Sequence, residues 1–139
     1  MTLIPFHLAF PVNDLAETRA FYVDLLGCSV GRQAELWIDF DFYGHQISAH
    51  VKPEETGLAA DNPVDGKSVP TRHFGLILDW ENWQALADKL SQARVEFIIE
   101  PYVRFKGEMG EQGTFFITDP SGNALEFKTF RNKDQIFAS

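Results

Sequence analysis

The sequence predicts an α+β fold built from two copies of one unit, each a strand, a helix and about three further strands. Hydrophobic periodicity of two, then 3.6, then two again occurs twice along the chain. A glycine turn comes just before the last strand of each copy, in Phe42-Tyr-Gly-His-Gln-Ile-Ser48 and in Asp119-Pro-Ser-Gly-Asn-Ala-Leu-Glu126. The 139 residues include 13 Phe, 3 Trp and 3 Tyr, enough large apolar side chains to fill a core and to exclude a disordered chain.

Residues 4–12 are apolar and extended, the first strand. Asp14-Leu-Ala-Glu17 is a capping box, Leu15, Thr18, Phe21, Tyr22 and Leu25 recur at helical spacing, and Gly27 is a C-terminal stop; a helix over 14–26 follows. In residues 35–43, Ile38, Phe40 and Phe42 alternate as in a half-buried strand, and 45–51 closes the first unit, residues 1–52. Residues 53–69, rich in Pro, Gly, Asp and Glu, read as a linker. The second unit, residues 70–132, has strands over 72–78, 95–99, 114–118 and 124–130, and a helix whose buried face is Trp83, Leu86, Ala87 and Leu90. A single sheet covered by one helix leaves one face bare, so two paired modules, a curved mixed sheet around a cleft, are the economical arrangement.

Twelve basic against twenty acidic residues, a net charge of −8, with no Lys/Arg run, argue against a nucleic-acid partner. No apolar stretch reaches the roughly 18 residues of a membrane span, and the first residues lack a basic, then apolar, leader; neither a membrane nor export is expected, and the location is read as cytoplasmic. Cys28 is the only cysteine, so a metal would have to be held by His, Asp or Glu.

Strand alternation places such residues. His7 is opposite in parity to Leu8 and Phe10, His73 to Phe74 and Leu76, and Glu126 to Leu125 and Phe127. With the apolar sides against the helices, both histidines and the glutamate face the cleft. Two imidazoles and a carboxylate on rigid strands make a 2-His-1-carboxylate set with open positions for substrate. The competing reading of Glu126 is a salt bridge to Lys128 or Arg72. Asp39 and Asp41, on the face of Trp37 and Tyr43, are either acceptors for ligand histidines or simply exposed. The glycine-rich loop 104–113 brings Arg104, a cation for an anionic substrate, or is a solvated hairpin loop.

His7 in Phe-His-Leu-Ala-Phe-Pro-Val, Ala20-Phe-Tyr-Val-Asp-Leu-Leu-Gly27, His73-Phe-Gly-Leu and Asp119-Pro-Ser-Gly-Asn-Ala-Leu-Glu-Phe127 resemble the vicinal oxygen chelate superfamily of glyoxalase I, fosfomycin and bleomycin resistance proteins and extradiol dioxygenases. The resemblance spans nearly the whole chain. It implies paired βαβββ modules, often homodimers, with a divalent metal at His7, His73 and Glu126. Ser48 stands where glyoxalase I enzymes usually place a fourth ligand, so a three-ligand site looks more like extradiol dioxygenases or fosfomycin-type transferases. Tyr43-Gly-His-Gln-Ile-Ser-Ala-His50 is similar to small predicted extradiol-type dioxygenases, which implies Fe(II), O₂ and cleavage of a small aromatic diol, with His45 as acid–base residue if Gly44 kinks the strand start, and His50 otherwise. Phe116 stands where extradiol enzymes commonly carry a diol-binding tyrosine; Tyr43 or Tyr102 would have to substitute. Substrate contacts are expected from Phe116, Ser48, Arg104 and Tyr43. The alternatives are an isomerase or a thiol or water transferase using Mn, Ni or Zn, and a metal-free binding module of the bleomycin-resistance kind.

Overall fold

Over residues 3–139, which the computed structural model describes, the chain forms two four-stranded sheets and a two-stranded hairpin. The first sheet has the order β1 (His7–Val12), β4 (His45–Val51), β3 (Trp37–Phe42), β2 (Ser29–Gln33); β1 runs parallel to β4 and the other neighbours are antiparallel. The second repeats the pattern as β7 (His73–Ile77), β10 (Ala124–Phe130), β9 (Gln112–Thr118), β8 (Phe97–Arg104), with β7 parallel to β10. This is the duplicated βαβββ order expected from the periodicities. One compact unit runs to Leu58 and takes in Asp119–Asn123; the other comprises Ala59–Thr118 and Ala124–Ser139.

In the first unit, Asp14 caps helix α1 (Leu15–Arg19) by accepting the Glu17 N–H at 2.9 Å, the capping expected from Asp14-Leu-Ala-Glu17. The helix runs on as a π-helical segment, Ala20–Leu25, and stops at Gly27, whose φ of 81° a side chain would resist. Neighbouring Phe21 and Tyr22 are both buried there. The Tyr22 ring stacks on Phe40 at 5.2 Å, and Phe10, Val12, Ile38, Phe42, Ile47 and Ala49 complete the core. The Tyr22 hydroxyl donates to Asp119 Oδ2 at 2.9 Å; Asp119 Oδ1 accepts from the backbone of Ser121 and Asn123, and the Asn123 side chain donates to the Pro11 carbonyl. Burial pushes the pKa of both Tyr22 and Asp119 up, the tyrosine well above its ordinary value. The Asp119-Pro-Ser-Gly-Asn123 turn thus belongs by its contacts to the first unit.

In the second unit, Asp79 caps helix α2 (Trp80–Gln92), which buries Trp83, Leu86, Ala87 and Leu90, the stripe read from the sequence. The Trp83 indole donates to the Phe127 carbonyl at 2.8 Å and lies over Gly113, where a Cβ would come within 2.8 Å of the ring. Phe115 and Phe127 stack beneath it at 5.3 Å.

Three segments differ from expectation. Residues 29–33 form a strand of their own, and β8 continues to Arg104 rather than ending near 99. Residues 53–69 are not a bare linker: after a short 3₁₀ turn at Pro53–Glu55, β5 (Asp61–Val64) and β6 (Lys67–Pro70) pair antiparallel around Asp65 and Gly66, both at positive φ. Asp-Gly at such a turn is a strong hairpin signal, and composition alone obscured it. Among the described residues no helix is long and apolar enough to cross a membrane.

Candidate metal centre

Each sheet has one face on its helix and one face free of it. In the second unit the register sets His73, Gly75 and Ile77 of β7 against Ala124, Glu126 and Lys128 of β10, and Phe116 and Thr114 of β9 against Glu126 and Lys128, all on the helix-free face. His73 and Glu126 meet there, with Nε2 and Oε1 3.2 Å apart. This ion pair, rather than one to Lys128 or Arg72, occupies the glutamate. Its second oxygen, Oε2, accepts from the Thr114 hydroxyl at 2.5 Å. Gly75 lets β7 and β10 approach: a Cβ there would overlap the Glu126 carbonyl oxygen.

The histidine's other nitrogen decides what the pair can bind. Nδ1 lies 2.7 Å from the Pro70 carbonyl, which can only accept, so Nδ1 carries the hydrogen. In the neutral ring Nε2 therefore has only a lone pair, and it points at a carboxylate oxygen. Two lone pairs at 3.2 Å need a positive charge, either a proton on Nε2 or a metal ion. Two donors with ~2.1 Å metal bonds at right angles stand about 3 Å apart, so the separation suits neighbouring ligands of one ion. Without metal the proton fills the role. The hydrogen bond to Glu126 raises the pKa of His73; burial would raise that of Glu126, but the hydrogen bonds from His73 and Thr114 outweigh it and hold the carboxyl below its ordinary range. Phe116 packs edge-on against His73, centroids 5.0 Å apart, and fixes the ring orientation.

His7 lies on β1 opposite Gln46, on the helix-free face of the first unit, and is exposed. Among the described residues no group of three or more His, Cys, Asp or Glu is placed to hold a metal ion. Ser48, on the same face of the first unit, donates its hydroxyl to Asp39 at 2.6 Å, and Asp41 accepts the Gly44 N–H; neither aspartate partners a histidine. The Tyr43 hydroxyl donates to the Leu26 carbonyl at 3.0 Å. Ser48 and Tyr43, both expected as substrate contacts, thus donate their hydroxyl protons within the chain. His45 pairs with Phe42, on the core parity of β4, and its Nδ1 accepts the Phe6 N–H at 2.8 Å. It lines a pocket of about 360 Å³ with Pro5, Arg32, Asp39, Asp41 and Gln46. The turn at Tyr43 and Gly44 is a regular two-residue one with φ of 54° and 93°, so Gly44 introduces no bulge that reverses the parity of His45. His50, opposite Pro11 and Trp37, has the helix-free parity.

Arg104 Nε lies 2.6 Å from Asp65 Oδ2, and the Tyr102 hydroxyl donates to the same oxygen at 3.1 Å. Thr114, Asp65 and Pro70 were not foreseen as parts of this face. Thr114 shares the parity of Phe116 and was legible on that ground; the Pro70 and Asp65 contacts arise from the hairpin's path.

Residues 4–127 match the sequence profile of the Glyoxalase/Bleomycin resistance protein/Dioxygenase superfamily. Over 130 residues, 94% of the chain and 84% of the relative, the sequence is 26% identical to metallothiol transferase FosB of Lysinibacillus sphaericus. Among solved structures, a glyoxalase/bleomycin resistance protein/dioxygenase from Alicyclobacillus acidocaldarius is 34% identical, covers 96% of both chains and superposes with a TM-score of 0.78. The fosfomycin resistance protein FosX of Listeria monocytogenes, 15% identical, shares the fold at a TM-score of 0.71 over 98% of this chain and 100% of its own. With its duplicated βαβββ order and this match over most of its length, the chain belongs to the glyoxalase/bleomycin resistance protein/dioxygenase superfamily.

Proposed function

We propose that the chain is a metal-dependent transferase or isomerase of this superfamily, acting on a small substrate that offers vicinal oxygens and an anionic group. The observation that carries the reading is the His73–Glu126 pair, whose facing donor atoms, 3.2 Å apart, have the spacing of neighbouring ligands of one ion. His73 and Glu126 would hold a divalent ion such as Mn, Ni or Zn. When bound, that ion supplies Lewis-acid polarisation of a substrate oxygen. The residues do the rest: Pro70 and Phe116 hold the His73 ring, Thr114 holds the Glu126 carboxylate, and Arg104 receives the anionic group. Of the two acid–base candidates, His50 has the helix-free parity, while His45 is tied to the Phe6 amide.

A transferase relative favours this class over the Fe(II) and O₂ cleavage of a diol expected from the resemblance. Phe116, which has no hydroxyl for a diol, points the same way. We read the active form as a homodimer, which sedimentation equilibrium tests. The central experiment is Mn(II) and Zn(II) titration of wild type and Glu126→Ala, followed by thiol addition and isomerisation assays with and without oxygen. About one ion per chain, lost in the variant, with turnover indifferent to oxygen, is the expected result. Equal metal binding by the two proteins, or turnover that consumes O₂, would overturn the reading.

A further inference from the structure

We infer that the β5–β6 hairpin is a flap whose Asp65 carboxylate fills an oxyanion seat made by Arg104 and Tyr102 and yields it to the anionic group of a substrate. The inference rests on the second unit's helix-free face being the reaction site, and adds how that site is kept closed and what the substrate must carry.

Arg104 and Tyr102 are two positions apart on β8, so both project to one side of the strand. Both contact a single oxygen, Asp65 Oδ2: the Tyr102 hydroxyl donates to it at 3.1 Å, while Arg104 Nε lies 2.6 Å away as an ion pair whose N–H makes no hydrogen bond among the described residues. A guanidinium and a phenol beside one oxygen are the groups a bound carboxylate, phosphate or phosphonate receives, and the buried Arg104 Nε has among the described residues no hydrogen bond that such a group would have to displace. The seat adjoins the metal pair: Tyr102 is the register partner of Thr114, which holds Glu126.

The segment that delivers Asp65 is lightly held. All four residues of β5 are exposed, and a two-stranded hairpin is marginal by itself. Its tip is fixed by Asp65 and by Lys67, whose ammonium lies 4.7 Å from the Tyr102 ring centroid. Its foot is Pro70, whose carbonyl holds His73, and Thr71, whose N–H donates to the Ala60 carbonyl. A tip held by one ion pair, one hydrogen bond and one cation–ring contact over a fixed foot opens at low cost, and an incoming oxyanion replaces the two contacts that Asp65 gives up. A substrate without an anionic group has no means of releasing the latch.

Asp65 sits at a φ of 53°, a conformation asparagine adopts readily, so Asp65→Asn removes the charge and keeps the turn. The test uses the full chain, metal-free and Mn(II)-loaded, at low ionic strength, with acetate and inorganic phosphate as probes in calorimetric titration. Relative to wild type, Asp65→Asn should bind the favoured probe about fivefold tighter, equal to ~1 kcal/mol. Adding Arg104→Gln should abolish the gain. Hydrogen exchange of the amides in residues 61–70 of wild type should speed up at saturating anion. The probe with the larger gain names the oxyanion. No gain for either, including undetectable binding to both proteins, overturns the inference, as does a gain that survives Arg104→Gln or a hairpin whose exchange ignores the anion. The metal-free arm separates this from the metal reading, because neither Asp65 nor Arg104 is a proposed metal ligand.

Discussion

Gly75→Ala is the sharpest structural perturbation of the centre. An ideal Cβ there would overlap the Glu126 carbonyl oxygen and lie 2.6 Å from the carbonyl carbon and 3.0 Å from the nitrogen. Ordinary carbon contacts are ~3.5 Å or longer, so β7 and β10 must part by on the order of 1 Å. The obstacle is backbone, and no rotamer relieves it. A parting of that size takes ladder hydrogen bonds from about 2.9 Å to beyond bonding distance. Two such bonds at ~1 kcal/mol each, together with the overpacking, amount to about 3 kcal/mol. With unfolding entropy near 2.1 cal/mol/K per residue, a chain of 139 residues should lose roughly 10 °C in Tm. The same movement stretches the 3.2 Å His73–Glu126 gap, so metal affinity should fall with stability. Gly44→Ala is the control: its φ of 93° costs about 1–2 kcal/mol of backbone strain, but nothing lies within 4 Å and the metal pair is untouched. Thermal unfolding and Mn(II) titration of both variants decide the matter. A Gly75→Ala protein that melts and binds metal like wild type would refute the close approach of the two strands.

Other expectations are briefer. Tyr22→Phe removes one donor from the buried Asp119 carboxylate and should cost about 2 kcal/mol in urea unfolding; a loss within error of zero would mean that the turn's own amides suffice. The buried Cys28 thiol, pushed up to about 12 by burial and then by the Asp41 carboxylate, should ignore a disulfide reagent at pH 8 until the chain unfolds, and prompt labelling of the native protein would contradict its burial. In chelator, the raised pKa of His73 gives a stabilisation complete below the ordinary imidazole range and lost as pH rises through the folded-state value. The lowered pKa of Glu126 gives one complete above the ordinary carboxylate range and lost as pH falls through its folded-state value. The pair's contribution to Tm should therefore be greatest between those two values, and His73→Gln should remove the alkaline decline; identical alkaline limbs in the two proteins would show the pair contributes nothing.

Period-two alternation is a local property of extended backbone, and that is why the sequence alone could assign His7, His73 and Glu126 to the faces away from the helices. The same locality carried the Asp14 cap, the stripe on α2 and the duplicated order of elements. Even the parity of His45 was legible, and the regular turn at Tyr43 and Gly44 keeps it. Partnerships were not local. Glu126 had two cations, Lys128 and Arg72, as rival partners, and the parallel register of β7 on β10 selected His73; the path of residues 59–71 brought Asp65 to Arg104 and Pro70 to the His73 ring. Composition marks such a segment only as polar and turn-rich, because where a hairpin lands depends on the sheet it returns to. The sequence therefore determined which chemistry each strand face presents, while the tertiary structure decided which donor meets which acceptor, since hydrogen-bond distances depend on strand register and loop path, not on spacing along the chain.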